Sequence, residues 1–229
     1  MNLKERLHAG AAVHIGALAV DTPLDQLEGR IAGQGWDLAF VDLQHAPYTE
    51  PQWVALCQRA TALGLPLMPR APHPSAPWLI GRLLDGGAAA VLVPMVEAEA
   101  VVEAAVENVY YPPVGRRSCG LRYALGWNGS GLTPRGYADW WNANAILALQ
   151  IETVEGVLNC HRLYRPGVDL ILFGSTDLTF SLEAHPEGPF RTVAECHRHV
   201  VSQMAGLDVR VCVADLPFGR FDAVAGGAG

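Results

Sequence analysis

Short apolar runs alternate with longer amphipathic stretches along most of the chain. Residues 13–20, 36–43, 65–70, 88–96, 145–152 and 168–173 read as strands. Residues 23–33, 49–63, 76–84, 97–109, 154–164 and 190–204 place apolar side chains at helical spacing. Asp21-Thr22 marks the start of the first of these helices, and Gly64 and Gly86-Gly87 close two others. The run 88–96 is nearly all apolar, as a strand buried on both faces of a parallel sheet must be. From Tyr110 to about Trp140 the rhythm breaks into a stretch rich in Gly, Arg, Trp and Tyr. A loop of that length is usually functional or disordered. Its aromatic content predicts an ordered functional loop with a short helix at 137–141. Two last strands are predicted at 209–213 and 221–224.

Repeated strand–helix units imply a parallel sheet with right-handed crossovers. Eight candidate strands within 229 residues predict one domain, a TIM-type (β/α)8 barrel spanning 1–229. The tail departs from that plan. About seven residues separate the last two strands, where a parallel crossover needs about ten or more. Nothing after 221–224 supplies an eighth helix, so the expected barrel is truncated at its C-terminal end, with the last helix missing. No G-x-G-x-x-G or G-x-x-x-x-G-K-[ST] element is present, which weakens a nucleotide-binding reading.

Composition narrows the function. Half of the residues are hydrophobic and only 17% are charged, against about a quarter in typical soluble domains. Surface covered by partner subunits explains the shortage; so does a composition rich in Ala and Gly. The net charge of −7 argues against nucleic acid and anionic membrane as partners. The five cysteines, Cys57, Cys119, Cys160, Cys196 and Cys212, form no C-x-x-C pair, which fits a reducing cytoplasm better than a disulfide or zinc framework. No signal peptide and no membrane span are expected.

In a barrel, catalytic side chains gather at the C-terminal ends of strands. Those ends carry Asp42, Gln44 and His45, then Arg70, then Gln150 and Glu152, then Ser175, Thr176 and Asp177. Glu152 and Asp177 lie 25 residues apart, about one strand–helix unit. Two carboxylates, completed by waters and a chelating substrate, suit Mg²⁺ or Mn²⁺. Taken singly, Glu152 would cap the next helix and Asp177 would form an Asx-turn. His45 is either structural or a general acid/base, since its ordinary pKa lies near working pH. Arg70 ends an apolar strand and needs an anion, either a carboxylate such as Asp85 or a substrate oxyanion. The chain's one lysine, Lys4, lies in the N-terminal arm. A Schiff-base aldolase needs a desolvated lysine in its pocket, so aldol chemistry here would require a metal. Cys196-His197-Arg198-His199 spaces its residues for different helix faces and reads as solvated surface. Trp127, Trp140 and Trp141 either shape an acceptor pocket or pack the long loop or a subunit contact.

These blocks, taken in order, resemble the HpcH/HpaI aldolases, metal-dependent class II pyruvate aldolases. Asp42-Leu43-Gln44-His45-Ala46-Pro47 is similar to the family's D-x-E-H-x-P, and Leu83-Leu84-Asp85-Gly86-Gly87-Ala88 to its L-L-D-x-G-A. Arg70, Val93-Pro94-Met95-Val96, and Tyr111-Pro112-Pro113-Val114-Gly115-Arg116-Arg117 fall at further family positions. Gln150-Ile151-Glu152-Thr153 and Gly174-Ser175-Thr176-Asp177-Leu178-Thr179 resemble Q-I-E-T and G-P-x-D-L-S. The resemblance implies reversible cleavage of a 4-hydroxy-2-oxo acid to pyruvate and an aldehyde through a metal-stabilised pyruvate enolate. It implies Glu152 and Asp177 as ligands to Mg²⁺ or Mn²⁺, with Co²⁺ as a further option. His45, Arg70, Asp42 and Asp85 would be catalytic, with Asp42 or Asp85 orienting His45. Gln150, Gly174, Ser175, Thr176 and Arg117 would bind substrate. A homo-oligomer, hexameric in the family, is the implied assembly.

Gln44 stands in place of the usual glutamate, Ser118 in place of a glycine, and Ser175-Thr176 in place of Pro-Ala. Two other readings share the motifs: a CoA-ester lyase of the citrate lyase β or malyl-CoA lyase type, and a non-catalytic keto-acid-binding paralogue.

Overall fold

A computed structural model describes residues 1–215. Seven parallel strands run in chain order: β1 (Ile15–Leu18), β2 (Leu38–Asp42), β3 (Leu67–Arg70), β4 (Ala90–Val93), β5 (Ile146–Ile151), β6 (Leu170–Phe173) and β7 (Arg210–Asp215). The expected strand 221–224, and with it the expected truncation, lies outside the described residues.

The alternation of side chains shows why this sheet curls. In β2, Leu38 and Phe40 belong to one apolar cluster, while Ala39 and Val41 belong to another. The first cluster is built almost wholly from strand residues, among them Ile15, Met68, Leu92, Ala148 and Leu172, with Leu7 below them. Side chains from strands far apart in order can meet only if the sheet wraps around them. The second cluster sits between the sheet and its outer helices. Both faces are thus dry, which is why the strand sequences read as continuous apolar runs.

The helices are α1 (Leu3–His8), α2 (Leu27–Ile31), α3 (Glu50–Ala62), α4 (Trp78–Asp85), α5 (Glu99–Val109), α6 (Pro134–Asn144), α7 (Val154–Leu163), α8 (Ser175–Ala184) and α9 (Val193–Met204). Thr49 caps α3 through a reciprocal box with Gln52, and Gly64 follows it at φ +76°, a conformation that costs glycine little. The buried Trp53 indole N–H donates to the Leu83 carbonyl at 2.9 Å and fastens α3 to α4.

Two helices are absent from the sequence pattern. The six-residue α1 is too short for periodicity to show, and its capping box of Asn2 and Glu5 is the one local signal. Helix α8 follows β6 directly, with little amphipathic contrast to mark it. The long loop does end in a helix, but α6 is longer than expected. Tyr137 on α6 packs against Trp127, Trp140 and Trp141, so these tryptophans consolidate the loop. The Cys196–His199 segment is less solvated than its spacing predicts. Cys196 is buried, and His197 lies against Phe173 with ring centroids 4.1 Å apart.

Helix α1 closes the N-terminal end of the barrel. The Lys4 ammonium donates to Asp169 at 3.0 Å, to the Tyr110 hydroxyl at 3.1 Å and to the Ala145 carbonyl at 2.9 Å. His8 lies between two carboxylates, Asp169 at 2.8 Å and Asp208 at 2.6 Å. A neutral imidazole has one N–H, so donating to both acceptors requires the cation. Its pKa is raised, chiefly by the hydrogen bond to Asp169, against a smaller opposing effect of burial. The stabilisation is therefore full below the ordinary histidine value and fades as pH rises through the raised one. Wild type should exceed His8→Gln in melting temperature at about pH 6, with the gap shrinking towards about pH 9. A gap that does not change with pH would show that His8 contributes packing alone.

Candidate active site

The C-terminal ends of the strands enclose a cavity of about 410 Å³. Its lining includes Asp42, His45, Arg70, Gln150, Gly174, Ser175, Thr176 and Asp177, together with Ala17, Leu18, Ala19 and Phe40. Nine of the eleven residues singled out in the sequence meet here, counting Glu152 beneath the cavity. Strand order explains the convergence, since each comes from the end of β2, β3, β5 or β6, from the residues just beyond, or from the first turn of α8 after β6.

Asp42 and Arg70 occupy paired positions on β2 and β3, so both side chains leave the same side of the sheet. Arg70 grips the carboxylate with two bonds, Nη2 to Oδ2 at 2.6 Å and Nε to Oδ1 at 3.1 Å. Its Nη1 reaches Gln150 Oε1 at 3.4 Å. The anion that Arg70 requires is thus Asp42, not Asp85. Burial alone would push the Asp42 carboxyl up. The Arg70 guanidinium and the backbone N–H groups of Gln44 and His45 outweigh it and hold the group below its ordinary range. Asp42 therefore stays charged and keeps the guanidinium fixed. Its contact with His45 runs through the His45 backbone N–H, at 3.2 Å.

Glu152 follows β5 directly and is only 1% exposed. Thr153, not Glu152, caps α7 by accepting from the Gly156 N–H. Glu152 Oε1 accepts from the Met95 N–H at 2.7 Å, while Oε2 is buried with no hydrogen-bond partner. Burial is the main cause that pushes its pKa up to about 7, with the nearby Asp177 adding to the rise. A Cβ on Gly174 would stand 2.1 Å from Oε2, so glycine is needed there for the carboxylate to reach the cavity wall. Asp177 is exposed and sits in the first turn of α8 rather than in an Asx-turn. This helix points its N-terminus at the cavity, where backbone N–H groups and the helix dipole favour an anion.

An unpartnered buried carboxylate oxygen beside a second carboxylate calls for a compensating positive charge, a proton at low pH or a hard cation once it is ionised. Among the described residues no group of three or more His, Cys, Asp or Glu side chains could hold an ion. The donor chemistry of Glu152 and Asp177, two carboxylates, is of the kind that would hold a hard divalent ion.

Two expected site residues lie elsewhere in the chain. Asp85 is on the last turn of α4, not at a strand end, and pairs with Arg117 at 2.6 Å. The Arg117 side chain is buried beneath the Tyr111 and Trp141 rings, its guanidinium 4.9 and 4.3 Å from their centroids. Burial raises the Asp85 pKa, only partly offset by Arg117. Conversely, Met95, though within a block that resembles the family, and the wall formed by Ala17, Leu18 and Ala19 carry no expected site role. Apolar residues at a strand end carry no chemical signal, and a backbone donor carries no residue type.

Residues 25–214 match the family model of the HpcH/HpaI aldolase/citrate lyase family. A 2-dehydro-3,6-dideoxy-6-sulfogluconate aldolase of Pseudomonas putida is 30% identical over 81% of this chain and 69% of its own length. A 4-hydroxy-2-oxovalerate aldolase of Novosphingobium aromaticivorans is 35% identical over 64% of this chain and 55% of its own length. The chain thus spans little more than half of some curated relatives that it matches. The crystal structure of an HpcH/HpaI aldolase from Desulfitobacterium hafniense DCB-2 superposes with a TM-score of 0.78 at 26% identity, covering 94% of this chain and 83% of the other. Sequence, strand order and the convergence of residues at the barrel mouth agree, and the chain belongs to the HpcH/HpaI aldolase/citrate lyase family.

Proposed function

We propose that this chain is a divalent-metal-dependent class II pyruvate aldolase, a carbon–carbon lyase that reversibly cleaves a 4-hydroxy-2-oxo acid to pyruvate and an aldehyde. The observation that carries the reading is Glu152. It is a buried carboxylate with one oxygen unpartnered, beside Asp177 and Arg70, at a mouth to which the chain brings no lysine. The sole lysine is committed to Asp169 on the strand end opposite the mouth.

In this reading Glu152 and Asp177 hold Mg²⁺ or Mn²⁺. When bound, the ion supplies Lewis-acid polarisation of the keto acid's oxygens. The N–H groups at the start of α8, around Gly174 to Thr176, receive the substrate carboxylate. Gln150 lines the pocket and steadies Arg70. His45 accepts the proton of the C4 hydroxyl as the C3–C4 bond breaks, and the electron pair of that bond passes to C3. Charge then grows on the C2 oxygen, towards which Arg70 is held by Asp42. A proton delivered to C3 completes pyruvate, and the other fragment leaves as the aldehyde. Placing fixed positive charge where negative charge develops is usually the largest single contribution to such a rate.

The family's homo-oligomeric assembly goes with this reading. Trp78 at 67% and Phe180 at 62% exposed offer apolar surface for it. Among the described residues no helix is long and apolar enough to cross a membrane. The five cysteines without a C-x-x-C pair support a reducing cytoplasm as the compartment.

The test requires no knowledge of the aldehyde. Pyruvate methyl protons should exchange for deuterium in D₂O with Mn²⁺ or Mg²⁺, followed by NMR, and the exchange should stop with EDTA. Folded, metal-loaded protein that leaves the methyl group unexchanged would overturn the aldolase reading in favour of a CoA-linked substrate or a non-catalytic keto-acid-binding role.

A further inference from the structure

Among the described residues, Met95 is the one non-glycine residue with positive φ, at +49°. For an L side chain the left-handed region costs about 1 kcal/mol or more, and such outliers persist where the surroundings impose them. The Met95 side chain is only partly buried, so packing does not explain the conformation. Its backbone does. In an extended strand successive N–H groups point to opposite neighbours. After β4, however, two consecutive N–H groups both turn to β5. Met95 N–H donates to Glu152 Oε1 at 2.7 Å, and Val96 N–H donates to the Gln150 carbonyl at 3.1 Å. Breaking the alternation requires an irregular backbone at this point, and Pro94 just before it contributes no N–H of its own.

We infer that Met95 is a positioning residue: its left-handed backbone, not its side chain, aims the N–H that fixes Glu152 Oε1 and so turns Oε2 towards Gly174 and the barrel mouth. The inference rests on the proposed metal-binding role of Glu152 for its consequence, though not for its geometry. Glu152 has no other hydrogen bond to hold its rotamer, since Oε2 is unpartnered. Without the Met95 donor the carboxylate would be free to rotate about its last torsion. A hydrogen bond to a charged acceptor at this distance is among the stronger kinds.

The test compares substitutions sorted by backbone tolerance rather than by similarity to methionine. Asn and Gly accept the left-handed region; the β-branched Val and Ile do not. Met95→Asn and Met95→Gly should bind Mn²⁺ within about threefold of wild type, while Met95→Val and Met95→Ile weaken it about tenfold or more. Calorimetry or the EPR signal of free Mn²⁺ reads the affinity. The reverse order, with Val and Ile retained and Asn and Gly weakened, would assign the role to the side chain and overturn the inference. Equal affinity in all four would overturn it as well.

Amide hydrogen exchange asks the same question without metal and without relying on the Val and Ile variants to fold. Glu152→Ala should speed exchange of the Met95 amide about tenfold or more and leave the Val96 amide, which bonds Gln150, as it was. A Met95 amide unaffected by Glu152→Ala would refute the contact. Wild-type protein that binds no Mn²⁺ but shows this Glu152-dependent protection would overturn the aldolase reading and leave the positioning role standing.

Discussion

Glu152→Gln should abolish pyruvate methyl exchange, by about 10³-fold or more, and yet stabilise the metal-free protein at pH 8. The two effects have one cause. Burial lifts the Glu152 carboxyl from an ordinary 4.5 to about 7. A carboxyl whose folded pKa lies above its unfolded value costs no stability below the unfolded pKa. The cost grows as pH rises from about 4.5 to about 7 and is constant above that. Glutamine has the same shape and never ionises, so it avoids the cost while still accepting from Met95. A full shift of that size would correspond to about 3 kcal/mol, and relaxation around the site reduces this to about 1–2 kcal/mol. Urea unfolding in EDTA at about pH 8 and about pH 5 would measure it. Wild type and variant should differ clearly at the higher pH and little at the lower one. Equal stability at both would mean that the carboxylate is not strained by burial, removing the main physical reason to place a cation there.

Arg70→Ala should lower the exchange rate about 10²- to 10³-fold, with the larger part in kcat rather than KM. The interaction with the C2 oxygen strengthens as charge develops, so its loss falls on the transition state. Arg70→Lys should recover only a small fraction. The lysine ammonium is a point charge without the two-pronged fork that meets Asp42 at 2.6 and 3.1 Å. Removing the guanidinium also leaves Asp42 part-buried and uncompensated, which is destabilising. Asp42→Asn in the Arg70→Ala background should therefore restore stability without restoring activity. A double variant as unstable as the sum of its parts would show that the two residues act independently. Full exchange activity in Arg70→Ala would remove Arg70 from the proposed chemistry.

Much of this architecture is legible in the sequence for a simple reason. A strand dry on both faces must be apolar along its length, so runs such as 88–96 and 145–152 announce themselves. Polar residues that interrupt such runs at their ends, Asp42, Arg70 and Glu152, stand out against that background. Helix α8 was invisible because its faces differ little, and α1 because it is too short. Asp85 and Arg117 looked like site residues from their motifs, yet within this chain they pair with each other at the end of α4, under an aromatic lid.

The linear pattern thus determined the parallel strand order, the outer helices other than α8 and the chemical types gathered at the strand ends, because burial and periodicity are local constraints on residue type. Which of those groups are charged, paired or unpartnered was decided only by the tertiary structure. Asp42 is Arg70's partner because β2 and β3 are in register. Glu152 is left with a bare oxygen because Gly174 has no side chain and Met95 offers only one N–H. Hydrogen-bond partners and desolvation depend on distances between residues far apart in sequence, and no local pattern encodes those distances.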